Sequence, residues 1–217
     1  MEVDVDSLKE ITQPTQFERI ILPDRSFSHI ERGFTNEYRE TINSVRDFAL
    51  KSRKSTSAKK VYYFYGRGNS VGEERLASYF KSKGYEIIRP ETLSLDEQLN
   101  ILINCESFAS TAGSCSHNSV FLRDGTETIF IPRTANAFTG YQQTLDQVHP
   151  VKSNFIDSTM SVFNMRHDFY CYIISEQLRQ FFGDEFDDCE EDNCRAFLDY
   201  VKIAIEKKGR SINTRHA

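Results

Sequence analysis

No stretch of this chain approaches the ~20 apolar residues needed to cross a bilayer as a helix. Its start, MEVDVDSLKEITQ, has neither the basic segment nor the apolar run of a secretory leader. These absences lead us to expect a cytoplasmic protein with no transmembrane segment, compatible at most with peripheral membrane association. Basic charge is not in excess either, because the formal net charge is -5. A general nucleic-acid binder would carry a basic face, so nucleic acid is not an expected partner. A basic pocket inside a mildly acidic protein is still allowed. Close cysteine pairs are missing: Cys105, Cys115, Cys171, Cys189 and Cys194 form an odd set, as expected of free thiols in a reducing compartment. Cys189 and Cys194 lie among acids with no nearby histidine to complete a metal set, so no metal is expected there. Internal repeats and low-complexity tracts are also lacking.

What is present is enough for one sizeable domain. The 217 residues are 39% hydrophobic and 27% charged, which allows a buried core and a soluble surface. Short apolar runs alternate with helical patterns. Phe17–Leu22 (FERIIL) reads as a strand stopped by Pro23-Asp24. Thr35 to about Arg53 reads as a helix with Tyr38, Ile42, Val45 and Ala49 on one face. Val61–Tyr65 (VYYFY) has the composition of a buried strand. Ser70 and Glu73 suggest a capping box for a helix that runs to Lys83 and stops at Gly84. Tyr85–Ile88 is the next strand, and Ser94 with Glu97 suggests a second capping box, for a helix to about Asn104 whose Leu95, Leu99 and Leu102 face inward. Ser107–Thr111 is a small-residue strand, Ser116 to Leu122 a short helix, and Thr128–Ile131 a strand after the Asp124-Gly125 turn. Such alternation predicts an α/β, Rossmann-like fold: a mostly parallel sheet with helices on both faces. We take residues 1–158 as this domain. Residues 159–217, with helices predicted over Met160–Phe182 and Glu190–Lys207, form a C-terminal helical extension packed on it.

Ligands of open α/β sheets bind outside the carboxyl ends of the strands, and polar residues collect after each predicted strand. Gly66 to Ser70 follow VYYFY, Arg89, Pro90 and Glu91 follow YEII, Gly113 to Asn118 follow SFAST, and Pro132 and Arg133 follow TIFI. Glycines let backbone N–H groups come close to a ligand, and helix N-termini favour anions. Ser114, Ser116 and Asn118 add neutral donors, and Arg67 and Arg133 add guanidinium forks suited to phosphate. The set describes a pyrophosphate site without a carboxylate cage for Mg²⁺. Each part also has a plainer reading: GRGNS as a polar turn, AGSCSHN as a tight packing turn, His117 as a core histidine, Arg89 as a strand-end charge. Cys115, at a helix start, has no evident base beside it and is not read as a nucleophile. The dinucleotide fingerprint GxGxxG is absent, since Val71 occupies the third glycine position. That argues against a nicotinamide-dependent enzyme.

The segment from Tyr65 to Arg133 resembles the C-terminal part of glycosyltransferase family 61, whose bacterial members are often capsular polysaccharide biosynthesis proteins. The matching features are Arg67, Glu73 with Glu74, Pro90 with Glu91, Leu93 with Ser94, Glu97 with Gln98, Gly113 with Ser114, and His117 with Asn118. Their order and spacing carry the resemblance, which weakens toward FERIILPD. Gly72 stands where the pattern usually has Asn. The resemblance implies one half of a GT-B architecture and an inverting, usually metal-independent transfer without a cofactor. The donor is a nucleotide-sugar such as a UDP-sugar, and the acceptor a glycan or glycolipid. In this reading Arg67, Arg133, Gly113, Ser114, Ser116 and Asn118 hold the donor phosphates, and His117 or Glu91 is the candidate base. An N-terminal half would supply much of the acceptor site, so little turnover is expected from these residues alone. A truncated, non-catalytic nucleotide-sugar-binding module is the alternative.

Overall fold

The computed structural model describes residues 10–20, 24–28, 31–51, 59–66, 70–133, 140–160, 170–185 and 190–213. A small antiparallel pair, β1 (Phe27–Ser28) with β2 (Gly33–Phe34), leads into helix α1 (Asn36–Lys51). Then come β3 (Lys60–Tyr63), β4 (Ser70–Val71), α2 (Glu73–Ser82), β5 (Glu86–Ile88), α3 (Leu95–Asn104) and β6 (Ser107–Thr111). A 3-10 helix over Ser116–Phe121, β7 (Glu127–Ile131), α4 (Gly140–Asp146) and β8 (Lys152–Phe155) complete the main layer. The five-stranded sheet has the order β5-β3-β6-β7-β8, and every neighbouring pair is parallel. Counting only its own strands, this is the 2-1-3-4-5 order of a doubly wound α/β sheet, whose switch point lies between β3 and β6.

Strand side chains alternate between faces, and the core divides accordingly. Tyr62, Ala109 and Ile129 lie in register across β3, β6 and β7. They pack on one face with Leu76 and Phe80 of α2. On the other face Val61, Tyr63, Phe108 and Phe130 pack against Leu102 of α3 and Leu122. Ile42 of α1, Val120, Leu145 and Val148 form a third cluster beyond that face. β3 and β7 read as apolar runs because both of their faces are covered, and β6 is buried on both faces with small residues, Ser107, Ala109, Ser110 and Thr111, beside Phe108.

The second capping box forms as expected. The Ser94 hydroxyl accepts the Glu97 N–H, and the Glu97 carboxylate accepts the Ser94 N–H. Several expectations are corrected. Phe17–Ile20 is not a strand, and Phe17 and Ile20 are 46% and 64% exposed, so an apolar run without a sheet partner stays irregular. Leu22 and Pro23 lie outside the described residues. The first capping box does not form: Gly72 is the N-cap of α2, in the left-handed region at φ 84°, and Ser70 belongs to β4. Leu95 is 66% exposed, on the outer side of the first turn of α3, while Leu99 and Leu102 are buried. The helix after Ser116 is a single 3-10 stretch.

Met160–Phe182 is not one helix. β9 (Thr159–Met160) and β10 (Tyr170–Tyr172) pair antiparallel, and β10 runs parallel to β4. Among the described residues of this span, helix starts at α5 (Glu176–Phe182), where the Ser175 hydroxyl accepts the Leu178 N–H. α6 (Glu190–Asn213) then packs Ala196 and Tyr200 against Cys171 of β10. Tyr172 and Leu178 join the first core cluster beside Tyr62 and Phe80. No helix among the described residues is long and apolar enough to cross a membrane.

Candidate functional site

The crevice at the switch point is built by the exits of β3 and β6. Backbone leaving β3 is held by a buried carboxylate. Glu73 accepts the Tyr65 N–H at 3.2 Å, the Ser70 hydroxyl at 2.7 Å and the Thr111 hydroxyl at 3.5 Å. One side chain from the first turn of α2 therefore pins the ends of both strands. Gly72, just before it, is pressed against the Tyr172 carbonyl, and a Cβ there would collide with that oxygen. This is the physical reason for a glycine here: β10 occupies the space.

Leaving β6, the chain closes a tight turn. The Ser116 and His117 N–H groups donate to the Gly113 carbonyl at 3.0 and 3.3 Å, and the Gly113 N–H donates to Ser116 Oγ at 3.1 Å. That hydroxyl is buried, 2.7 Å from the Gly113 carbonyl oxygen and 2.8 Å from Gln142 Oε1. Gln142 Nε2 donates to Ser119 Oγ and to Asp146 Oδ1, each at 2.7 Å, and Ser153 donates to Asp146 Oδ2 at 2.6 Å. Burial raises the Asp146 carboxyl above its ordinary pKa, against the hydrogen bonds from Ser153, Gln142 and Ser119. Ser116 is thus spent on shaping the turn. Ser114 is exposed and Asn118 half-buried.

Ser114 and Asn118 line a recess of about 270 Å³ together with Tyr65, Gly66, Glu91 and Gln98. Three strand exits therefore meet in one hollow, those of β3, β5 and β6. Gln98 fixes the Glu91 turn, because its Nε2 donates to the Pro90 and Leu93 carbonyls at 2.9 and 3.1 Å. Glu91 itself is exposed at the rim.

Arg133 follows β7 and lies directly on the Gly113 backbone, where any side chain would displace it. Its guanidinium carbon sits 5.5 Å from the Tyr65 ring centre and 5.4 Å from that of Tyr170. No carboxylate among the described residues pairs with it. His117 packs its ring 4.4 Å from that of Tyr141. Burial, and then the nearby Arg133 charge, holds its imidazole below the usual pKa.

The structure therefore brings together Glu91, Ser114 and Asn118 in one recess and sets Arg133 on Gly113 beside it. Arg67 lies outside the described residues, between Gly66 and Ser70 in the chain. Sequence reasoning missed Tyr65 and Tyr170 as the cradle of Arg133, and Gln142 as the support of the turn. Tyr65 was read as core, and nothing near Tyr170 or Gln142 in sequence points to the site. Gln98 was visible only through the resemblance. Among the described residues no group of three or more His, Cys, Asp and Glu is placed to hold a metal ion.

Residues 7–129 match the protein family described as Glycosyltransferase 61. The match includes the exits of β3, β5 and β6 and ends within β7, before Arg133 and Tyr170. A search of curated proteins found no match. With more than half of its residues covered, the chain belongs to glycosyltransferase family 61.

Proposed function

We propose that this glycosyltransferase takes its sugar from a nucleotide-sugar, such as a UDP-sugar, and passes it to a glycan or glycolipid acceptor in polysaccharide biosynthesis at the cytoplasmic side. The donor diphosphate lies in the crevice between the exits of β3 and β6. Arg133, and Arg67 from the sequence, neutralise the charge that grows on the leaving nucleoside diphosphate. Ser114 and Asn118 donate to its oxygens. Gly113 keeps the space that Arg133 occupies, and Ser116 holds the turn closed. An acceptor hydroxyl attacks the anomeric carbon from the opposite side, the bond to the diphosphate oxygen breaks, and configuration inverts. The hydroxyl proton passes to a base. His117 is one candidate, its imidazole pKa lowered by burial and then by Arg133. Glu91 is the other candidate, or an acceptor for a ribose hydroxyl. No cofactor or metal ion enters this scheme.

The observation that carries the reading is the cradle of Arg133. A guanidinium held by two tyrosine rings and a bare glycine, with no carboxylate partner among the described residues, is organised in advance for an anion. Calorimetric titration with UDP tests it. Arg133→Ala should weaken binding about ten- to a hundredfold, since a charge-assisted hydrogen bond contributes about 1.5–3 kcal/mol. Arg133→Lys should recover only part of the affinity. Unchanged UDP affinity in Arg133→Ala would remove the site, and tighter binding of NAD than of UDP would remove the donor class.

A further inference from the structure

A second recess, about 520 Å³, also has Gly66 in its lining. Its walls come from α2, from the exit of β5 and from α6, each of which contributes one arginine: Arg75, Arg89 and Arg195. Arg89 lies across an aromatic ring of this recess. The guanidinium carbon lies 4.6 Å from the Phe64 ring centre. A Cβ on Gly66 would come within 2.6 Å of Phe64 Cε1 and 3.2 Å of Arg89 Nη1. The glycine at the exit of β3 thus leaves room for Arg89 to lie across Phe64, as Gly113 does for Arg133. No carboxylate among the described residues pairs with Arg89.

The carboxylates of this recess are mostly engaged elsewhere. Glu73 is turned inward on the Tyr65 N–H and the Ser70 hydroxyl. Asp199 stands 3.7 Å from Lys202, and Arg195 3.5 Å from Glu191, where an anion can replace the glutamate of this exposed pair at little cost. Glu74 is exposed to solvent.

We infer that this recess receives the acceptor, and that the acceptor carries an anionic group, a carboxylate or a phosphate on a sugar. The inference rests on the donor reading of the neighbouring crevice, because the two recesses share Gly66 as a common wall. That adjacency is what group transfer requires, since the attacking hydroxyl must lie beside the anomeric carbon. Arg195 and Asp199 come from α6, beyond the family match at residues 7–129, so this wall sets which acceptor the chain takes. The guanidinium groups of Arg89 and Arg195, from two elements, suit a planar carboxylate or a phosphate better than a neutral sugar.

The test is ligand-observed NMR on the full chain, which reads millimolar binding, with glucuronic acid, glucose 6-phosphate and glucose as probes. Saturable binding of at least one anionic sugar, at least fivefold tighter than that of glucose, is the expected result, and whichever acid binds more tightly names the anionic group. Arg89→Gln should weaken the anionic sugar about tenfold. Arg195→Gln, on the exposed side of α6, should weaken it about threefold while leaving UDP affinity within twofold. Glucose binding as tightly as both acids, no binding of either acid, or unchanged binding in both variants overturns the inference. Loss of UDP binding by the unaltered chain, with anionic sugars still bound, overturns the donor reading alone.

Discussion

Tyr62 shows what burial costs when a polar atom is left over. Its ring packs at 4.7 Å on that of Phe80, but its hydroxyl is buried without a hydrogen-bond partner among the described residues. Burial pushes the phenol well above its usual pKa, with Glu73 adding to the rise. Tyr62→Phe keeps the ring and removes the stranded group, so it should stabilise the fold by about 1 kcal/mol. A lower urea midpoint in the variant would show that the hydroxyl has a partner. Gly72 makes the opposite case. Its left-handed φ is strained for other residues, and a Cβ would meet the Tyr172 carbonyl. Gly72→Asn should cost about 1–3 kcal/mol through overpacking. Equal stability of the two proteins in urea would mean that β10 yields readily.

Among the elements, the connection that matters most is the polar one joining the 3-10 helix, α4 and β8. Gln142 holds Ser116, Ser119 and Asp146 at once. Gln142→Leu leaves these groups buried without it, at about 1–3 kcal/mol for each one unpaired. It should also lower UDP affinity without touching the ligand, because the Gly113 turn loses its support; full affinity in a folded variant would separate the turn from the network. None of this support was legible in the sequence. β3 and β7 were legible, because a strand covered on both faces leaves an apolar run, and β6 was legible as a run of small residues ended by Gly113. Ser94 with Glu97 was legible because a capping box is local. Ser70 with Glu73 misled for the same reason: the spacing was right, but the carboxylate is drawn to the Tyr65 N–H. The strand Tyr170–Tyr172 was hidden because its partner, Ser70–Val71, lies about a hundred residues earlier. The positions of Glu91, Gly113, Ser114 and Asn118 at one sheet edge could be read from strand ends, whereas the tyrosines that hold Arg133 could not.

At the scale of the whole molecule, the C-terminal segment is part of the core. Tyr172 and Leu178 are buried with Tyr62, Leu76 and Phe80, and Phe182 packs beside them. Side chains of this kind stabilise by about 1.5–3 kcal/mol each, so losing three removes an amount comparable with a domain's total of about 5–15 kcal/mol. A shortened chain ending at Ser158 should therefore be molten or aggregated. A well-dispersed amide spectrum from it would contradict this. Acid should act on the whole fold as well. Burial lowers the pKa of both His117 and His149, reinforced by Arg133 in the first case and by Arg46 in the second, where Asp124 partly opposes it. Below the usual histidine value of about 6.5 the unfolded chain binds more protons than the folded one. The stability these residues contribute is complete above that value and is lost as pH falls toward their lowered values. Urea midpoints should drop on acidification through this window, and less steeply in a His117→Asn, His149→Asn double variant. An identical slope in both would assign the loss to other groups.

The contact between Gly113 and Arg133 carries a consequence for descent. The two positions are twenty residues apart, yet the guanidinium of one rests in the space that the other leaves open. They should therefore change together along a lineage. A homologue with any side chain at the position of Gly113 is expected to have given up its arginine at the position of Arg133, and with it the need for the paired tyrosines. An aligned set of relatives in which the two positions vary independently would show that the arginine rests there by accident.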